Sequence, residues 1–269
     1  MHDNIIFYEE LSLNAYPALQ TILYDGWVLR FANGFNNRAN SVSMLYPSAL
    51  GYDEKIAECE RIYNANGQPA VFKMTDAADP ALDAELALRG YSIVTPTQVM
   101  VFTMEECCAV SDNASVNACH AVLNQSVHNV INNCVLTNNA DDEWFDAYFS
   151  LYRYDDDLRK FTAKQIMNNV RGKTICGRLV VNESNVAVGT AVIERGYAAL
   201  LNIVVDPNLR GRGYGEGVCA ALLAAAREAG AHTSYLQMVR DNAAACGLYT
   251  KLGYKTIYGY HYRVQDRKT

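Results

Sequence analysis

Along the chain, runs of alternating apolar and polar residues interleave with stretches where apolar positions recur every three or four residues. These are the periods of half-buried strands and amphipathic helices. In the first third, Asp25–Ala32 and Ser41–Tyr46 alternate as strands about the Asn- and Gly-rich segment 33–40. Asp53–Asn64 reads as a helix with Ile56, Cys59, Ile62 and Tyr63 on one face. Ala70–Met74 is a short strand and Pro80–Arg89 a helix stopped by Gly90. Tyr91–Thr103 reads as two strands broken near Thr95-Pro96. Residues 105–140 are rich in Asn and Ser, have no clear period before Cys134–Thr137, and read as a linker carrying one helix about Val116–Val127.

The second region opens with an aspartate-capped helix, Asp141–Tyr152, followed by another from Asp157 to Val170. Three strands come next: Thr174–Asn182, Val186–Glu194 and Tyr197–Val205. A glycine-rich loop, a long helix to Ala229, a strand His232–Met238, a helix Asn242–Leu252 and two final strands, Tyr254–Tyr258 and Tyr260–Val264, complete it. Segments starting at Leu86 and at Leu248 align with one gap, and the same series of strand, helix, strand, helix and paired strands precedes or contains each. The order points to a duplicated unit.

The chain has 269 residues, half of them apolar and 19% charged, which supports one large domain or two ordinary ones and excludes disordered and fibrous classes. No apolar run is long enough to span a bilayer, and the N-terminus has no basic leader, so the expectation is a cytoplasmic protein without membrane partners. A net charge of −6 argues against a nucleic-acid binder. The charge is uneven. Residues 1–110 hold six basic and fourteen acidic side chains (−8), and residues 111–269 hold seventeen and fifteen (+2), so an anionic ligand belongs with the second half. Eight cysteines without a C-x-x-C pair read as reduced thiols, with no metal site.

The segment Leu200–Gly217 carries the chemistry. An apolar strand ends at Asp206-Pro207, and Arg210-Gly211-Arg212-Gly213-Tyr214-Gly215 then leads into an Ala/Leu-rich helix. Glycines let the backbone approach a ligand, and the helix N-terminus adds unpaired N–H groups and a positive dipole end. Together with two arginines these make an anion site suited to a phosphate. A Walker loop is absent. Gly215-x-Gly217-x-x-Ala220 satisfies a dinucleotide fingerprint, but its first glycine stands too far from the strand, and Asp241 is too distant for the ribose acid.

Val205-x-Pro-x-x-Arg210-Gly-x-Gly213-x-Gly215 resembles the acetyl-coenzyme A loop of the GNAT superfamily of N-acetyltransferases. The likeness extends over Cys134–Val264, including a second signature: Asn242, Ala245 and Tyr249 on a short helix, then Gly253-Tyr254. It implies an α/β fold of tandem lobes with a mixed, mostly antiparallel sheet flanked by helices and a splayed cofactor strand. Residues 1–104 would be a degenerate lobe, 105–133 a linker and 134–269 the catalytic domain. By position, the N–H groups of Arg210, Gly211, Arg212, Gly213, Tyr214 and Gly215 would hold the cofactor's pyrophosphate. Ile203, Val204 and Val205 would pair with its pantetheine amides, and Asn242 would reach the same arm. Tyr249 would protonate the departing thiolate after direct attack by a neutral amine, with N–H groups of the Val205 strand polarising the thioester carbonyl.

The base is less defined. A glutamate found on the cofactor strand of some members is replaced here by Ala199, leaving Glu194, Tyr197, His261 or a water chain through Asn202. In the first half, Tyr46–Tyr52 stands where the loop should be but lacks the Arg-Gly-Arg insert, and Leu86 matches Tyr249. The segment Asp25–Val42 resembles part of two-lobed bacterial members, so Trp27, Arg30, Arg38 and Asn40 would line an acceptor pocket and bind a carboxylate, or belong to a hairpin facing water. The acceptor implied is a small-molecule or peptide amine: the acidic first half suits a polyamine or aminoglycoside, the two arginines an amino acid. The chain would act as a monomer or homodimer. Two other classes stay open, a nucleotide-binding oxidoreductase using the Gly215 fingerprint and an acyl-coenzyme A sensor without turnover.

Overall fold

A computed structural model describes residues 2–104 and 133–265. The first half runs α1 (His2–Ala15), β1 (Gln20–Tyr24), β2 (Trp27–Phe31), β3 (Val42–Met44), α2 (Tyr52–Ala65), β4 (Val71–Thr75), α3 (Pro80–Leu88) and β5 (Tyr91–Thr103). The second runs β6 (Cys134–Thr137), α4 (Asp142–Tyr152), α5 (Asp157–Asn168), β7 (Lys173–Val181), β8 (Ser184–Glu194), β9 (Tyr197–Val205), a 3-10 turn (Pro207–Leu209), α6 (Tyr214–Glu228), β10 (Thr233–Val239), α7 (Ala243–Lys251) and β11 (Lys255–Gln265). The stretch expected to form a linker helix lies outside the described residues.

All eleven described strands form one mixed sheet, in the order β1-β2-β3-β4-β11-β5-β10-β9-β8-β7-β6. The centre of this order is an exchange. β11 lies between β4 and β5, and β5 lies between β11 and β10, so the last strand of each half is inserted between the last two strands of the other. β5 pairs antiparallel with β10 from Thr97–Thr103 and with β11 along nearly its whole length. The halves match in detail: β3 runs parallel to β4, as β9 does to β10.

Strand alternation sorts side chains into two layers. On β8 and β9, Val192, Ala199 and Leu201 face a core with α1, α4 and α5, whereas Ala191, Ile193, Ala198 and Leu200 face α6 and α7. In the first half, Trp27, Leu29 and Phe31 face a third core with α2 and α3.

Two expectations are corrected, and one further element, α1, was not foreseen. The two closing hairpins are single long strands: β5 continues through Thr95 with that residue at φ +51°, and β11 continues through two register shifts. Asp25-Gly26 does not begin a strand but turns a β1–β2 hairpin, both residues having positive φ, the conformation that Asp-Gly favours at such turns. The N-terminal helix α1 gave no amphipathic signal because polar residues, Glu9 and Ser12, are buried along with its apolar ones. Glu9 receives a hydrogen bond from Tyr258 (2.8 Å) and pairs with Lys73, so the helix is wrapped on several sides by both halves.

Candidate active site

The local origin of the site is a bulge in β9. Its pairing with β8 shifts between Val188↔Val204 and Thr190↔Leu201, and Asn202 takes φ +55°. Opposite the bulge stands Gly189, where a Cβ would come within 2.5 Å of Ile203 Cδ1 and 2.8 Å of Leu222 Cδ1, so both side chains would have to shift to admit it. The buried indole of Trp144 donates to the Gly189 carbonyl at 3.2 Å. On its other edge β9 pairs with β10 only at Tyr197–Ala199. From Leu200 onward the two parallel strands separate, leaving an edge of β9 without a ladder partner.

The 3-10 turn follows, capped by Asp206, whose side chain accepts from Asn208 N at 2.9 Å. Gly211 and Gly213 sit at φ +77° and +81°, in the left-handed region that favours glycine, and an added Cβ at either would meet open space. Gly213 is the N-cap of α6, so the first N–H groups of that helix have no side-chain cap. Arg210 and Arg212 are exposed beside it and form no ion pair with described residues.

These pieces line one groove of about 700 Å³. Its walls include Ile203, Val204 and Val205 from β9, all six residues of Arg210–Gly215, and Asn242, Leu248 and Tyr249 from α7. Asn242 caps α7, its Oδ1 accepting from Ala245 N at 3.0 Å, which leaves its amide NH₂ group available to a ligand. Lys251 also lines the groove and donates to Glu216 at 2.6 Å.

A second cavity of about 560 Å³ adjoins the first, and the two share Ile203, Asn242, Ala245 and Tyr249. Its walls come from both halves: Tyr16 and Arg38 from the first, Tyr148, Tyr152 and Tyr154 from the α4 region, and Tyr260 and Tyr262 from the exchanged strand β11. Tyr249 thus stands where the two spaces meet. It is 9% exposed, its ring lies edge-on to Tyr254 at 5.8 Å, and burial pushes its phenol well above the usual tyrosine value.

The profile of the family described as "Probable histone acetyltransferase Rv0428c C-terminal" matches residues 4–263. The chain belongs to that acetyltransferase family. The enzyme is 28% identical over 264 residues to the uncharacterized N-acetyltransferase YobR of Bacillus subtilis, covering 98% of this chain and 99% of the relative. In fold it matches a GCN5-related N-acetyltransferase from Kribbella flavida, with a TM-score of 0.63 at 15% identity over 97% of this chain and 95% of the other. It also matches a tandem GNAT protein from the clavulanic acid biosynthesis pathway, with a TM-score of 0.63 at 12% identity over 95% and 86% of the two chains. This acetyltransferase therefore has the fold of the GNAT N-acetyltransferases, tandem members included.

The fold gathers the residues expected at the cofactor loop with Tyr249, and it disperses those expected for the acceptor and the base. Glu194 lies in a different cavity, where it accepts from Asn14 at 3.1 Å and pairs with Arg195. Tyr197 packs edge-on to Phe7 at 4.9 Å, and His261 bonds Asp83 at 3.0 Å; neither lines the groove or the tyrosine cavity. Asn202 alone among those alternatives lines the tyrosine cavity, with its amide donating to Met167 Sδ at 3.4 Å. Trp27 is 2% exposed, in the first-half core beneath the Lys55 ammonium. Asn40 is buried and accepts from Ala32 N and Gly34 N, holding its own loop. Arg30 is buried on backbone carbonyls. Of the four, only Arg38 lines the tyrosine cavity.

The tyrosine walls were missed. A signal existed in Tyr260-x-Tyr262, because a two-residue spacing on a strand places phenols on one face. What decides that they face Tyr249 is the strand exchange, which no local pattern encodes.

Proposed function

We propose that this acetyltransferase takes its acetyl group from acetyl-coenzyme A and passes it to an amine by direct attack. One observation supports this above the others: the groove that begins at the uncapped N-terminus of α6 follows the unpaired edge of β9 and ends at Tyr249, at the mouth of a separate cavity. A phosphate-bearing thioester and an amine acceptor would thus approach one phenol from two sides.

Acetyl-coenzyme A supplies the acetyl group as a thioester. The N–H groups of Arg210–Gly215 hold the pyrophosphate, aided by the α6 dipole, and their left-handed glycines keep the space open. The free edge of β9 at Ile203–Val205 offers backbone donors and acceptors to the pantetheine amides, with the Asn242 amide beside them. An N–H of the same edge polarises the carbonyl, a preorganised dipole at the point where charge develops. Tyr249 donates its proton to the departing sulfur. Burial raises its pKa, so the phenol is protonated at neutral pH, and its placement at the junction of the two spaces, not its acidity, is what suits it to the role. Among the described residues no carboxylate lines the acceptor cavity, so the amine enters neutral or loses its proton to water near Asn202.

The division into a degenerate lobe (1–104) and a catalytic lobe (134–269) belongs to this reading, as does a cytoplasmic location. Free cysteines at Cys59, Cys134, Cys176, Cys219 and Cys246 suit a reducing compartment, and no described helix is long and apolar enough to cross a membrane. Calorimetric titration with coenzyme A tests the cofactor assignment. Micromolar binding that survives NAD competition is expected; binding of NAD in preference to coenzyme A would overturn it.

A further inference from the structure

We infer that the acceptor is a small amine bearing a carboxylate, of the amino-acid class, with Arg38 as its anchor and Arg30 as the residue that positions Arg38. The inference rests on the acetyl-transfer reading above and narrows it.

The cavity has one formal charge. Among its described lining residues Arg38 is the sole ionised side chain; the rest are tyrosines, amides, threonines and apolar groups. Arg38 forms no ion pair with a described residue, and its guanidinium lies 5.1 Å from the centre of the Tyr16 ring. An unpaired, half-buried cation with five donors, set in a pocket without acids, is matched by a carboxylate accepting two parallel hydrogen bonds. A polyamine or lysine-rich peptide would bring further positive charge to a cavity that holds only positive charge. The acidic balance of the first half does not alter this, because its carboxylates lie elsewhere.

Arg30 explains why the cation points there. Its side chain is 3% exposed and donates to two backbone carbonyls, Arg38 O at 2.7 Å and Tyr16 O. Both acceptors belong to residues of the cavity wall. Asn36, in the same segment, donates to the Tyr16 hydroxyl at 2.9 Å. The buried guanidinium thus ties the α1 exit to the loop carrying Arg38 and fixes one end of the cavity, while Tyr249 defines the other. Arg38 and Tyr249 line the same cavity, so one ligand can face both. An amino acid seated with its carboxylate on Arg38 would direct its amine toward Tyr249 and the mouth of the groove.

The test separates binding from transfer. Calorimetry measures binding of the common amino acids, of tyramine, phenethylamine and isopentylamine as their decarboxylated counterparts, and of spermidine and a lysine-rich peptide. Thiol release with acetyl-coenzyme A measures transfer to the same set. At least one amino acid should bind, and its decarboxylated counterpart should bind or react about 10- to 100-fold less well, the weight of a charge-assisted pair. Arg38→Ala should abolish that discrimination through KM, with kcat and coenzyme A affinity unchanged, and Arg38→Lys should restore part of it. Arg30→Lys should raise KM for the amino acid alone, with the melting temperature reported alongside. If amines without a carboxylate, spermidine or the peptide are acetylated equally well or better, or Arg38→Ala keeps the discrimination, the inference is wrong while the acetyltransferase reading stands. Carboxylate binding that depends on Arg38 without any transfer would uphold the ligand class and sink the acetyl-transfer reading instead. Saturation by no amino acid below about 10 mM, a free energy weaker than roughly 3 kcal/mol, would overturn it as well.

Discussion

Two loops join a strand to a helix at equivalent points of the two halves, β9 to α6 and β3 to α2, and their N–H groups have different fates. In the second half, Gly213 caps α6 in a left-handed conformation and the loop amides open onto a groove. In the first half, Gly51 caps α2 at φ −69°, and the loop has closed on an internal anion. One Asp25 carboxylate oxygen accepts from Leu50 N at 2.9 Å and from the Ser48 hydroxyl at 2.8 Å, and the other accepts from Ala49 N at 3.0 Å. Lys55, wholly buried, donates to Asp25 O and Ser48, pairs with the carboxylate at 3.1 Å and lies 4.1 Å from the Trp27 ring centre. Asp53 and Glu54 add negative charge to the first turn of α2. The first half thus carries its own carboxylate where the second presents open donors, and a helix N-terminus becomes a ligand site only when nothing in the chain reaches it first.

The halves also differ in independence, and separating them should have the largest effect. Residues 134–269 expressed alone lose β5, the antiparallel partner of both β10 and β11. This fragment should be insoluble or lack a cooperative melt, and co-expression with residues 1–104 should recover soluble complex. A well-folded, coenzyme A-binding fragment would show the exchange to be dispensable.

Next comes a charge placed on each loop in turn. Gly213→Glu should weaken coenzyme A binding far beyond tenfold, above about 1.4 kcal/mol by calorimetry, because the side chain must enter the space kept open and carries the wrong sign. Gly51→Glu, at the equivalent cap, should leave that affinity unchanged. Equal effects would erase the distinction between the loops.

Removing the phenol follows. Tyr249→Phe should keep coenzyme A affinity and lose on the order of 10²-fold in turnover. In the unmodified enzyme, kcat/KM should rise with pH as the acceptor amine deprotonates. No alkaline decline from Tyr249 should appear below about pH 10, since burial moves its titration above that value.

The smallest effect concerns stability alone. Asp25→Asn should lower the melting temperature without changing coenzyme A affinity, because Lys55 loses its counter-charge and the loop amides lose their strongest acceptor. Hydrogen bonds from the loop amides, chiefly that of Leu50, hold the Asp25 pKa below the ordinary carboxylate range. Its contribution is therefore fully present above about pH 4 and lost only as pH falls further. The difference in melting temperature between the two proteins should be flat at neutral pH and shrink in acid. A difference that instead grew in acid would contradict the assignment.

What could be read from the sequence were the features fixed by local chemistry. The strand Tyr197–Val205 coincides with β9, Gly211 and Gly213 leave open space beside the backbone where a close approach was expected, and Asn242 caps α7 as its position before an Ala-rich run implied. The segment Val186–Glu194, expected as a strand, falls within β8, and its near-continuous apolar run is buried on both faces. Tertiary structure decided the rest. Arg30 and Arg38 lie eight residues apart in one polar-looking segment, and nothing local says that the first is spent on backbone carbonyls while the second faces a cavity. Glu194 and Tyr249 both looked fit for proton transfer, yet the sheet sends them to different cavities. The tyrosines of β11 reach the site because a strand from one half is inserted into the other. Local propensity reports neighbours in sequence, whereas that cavity is built from residues more than two hundred positions apart, brought together by the burial of a shared core.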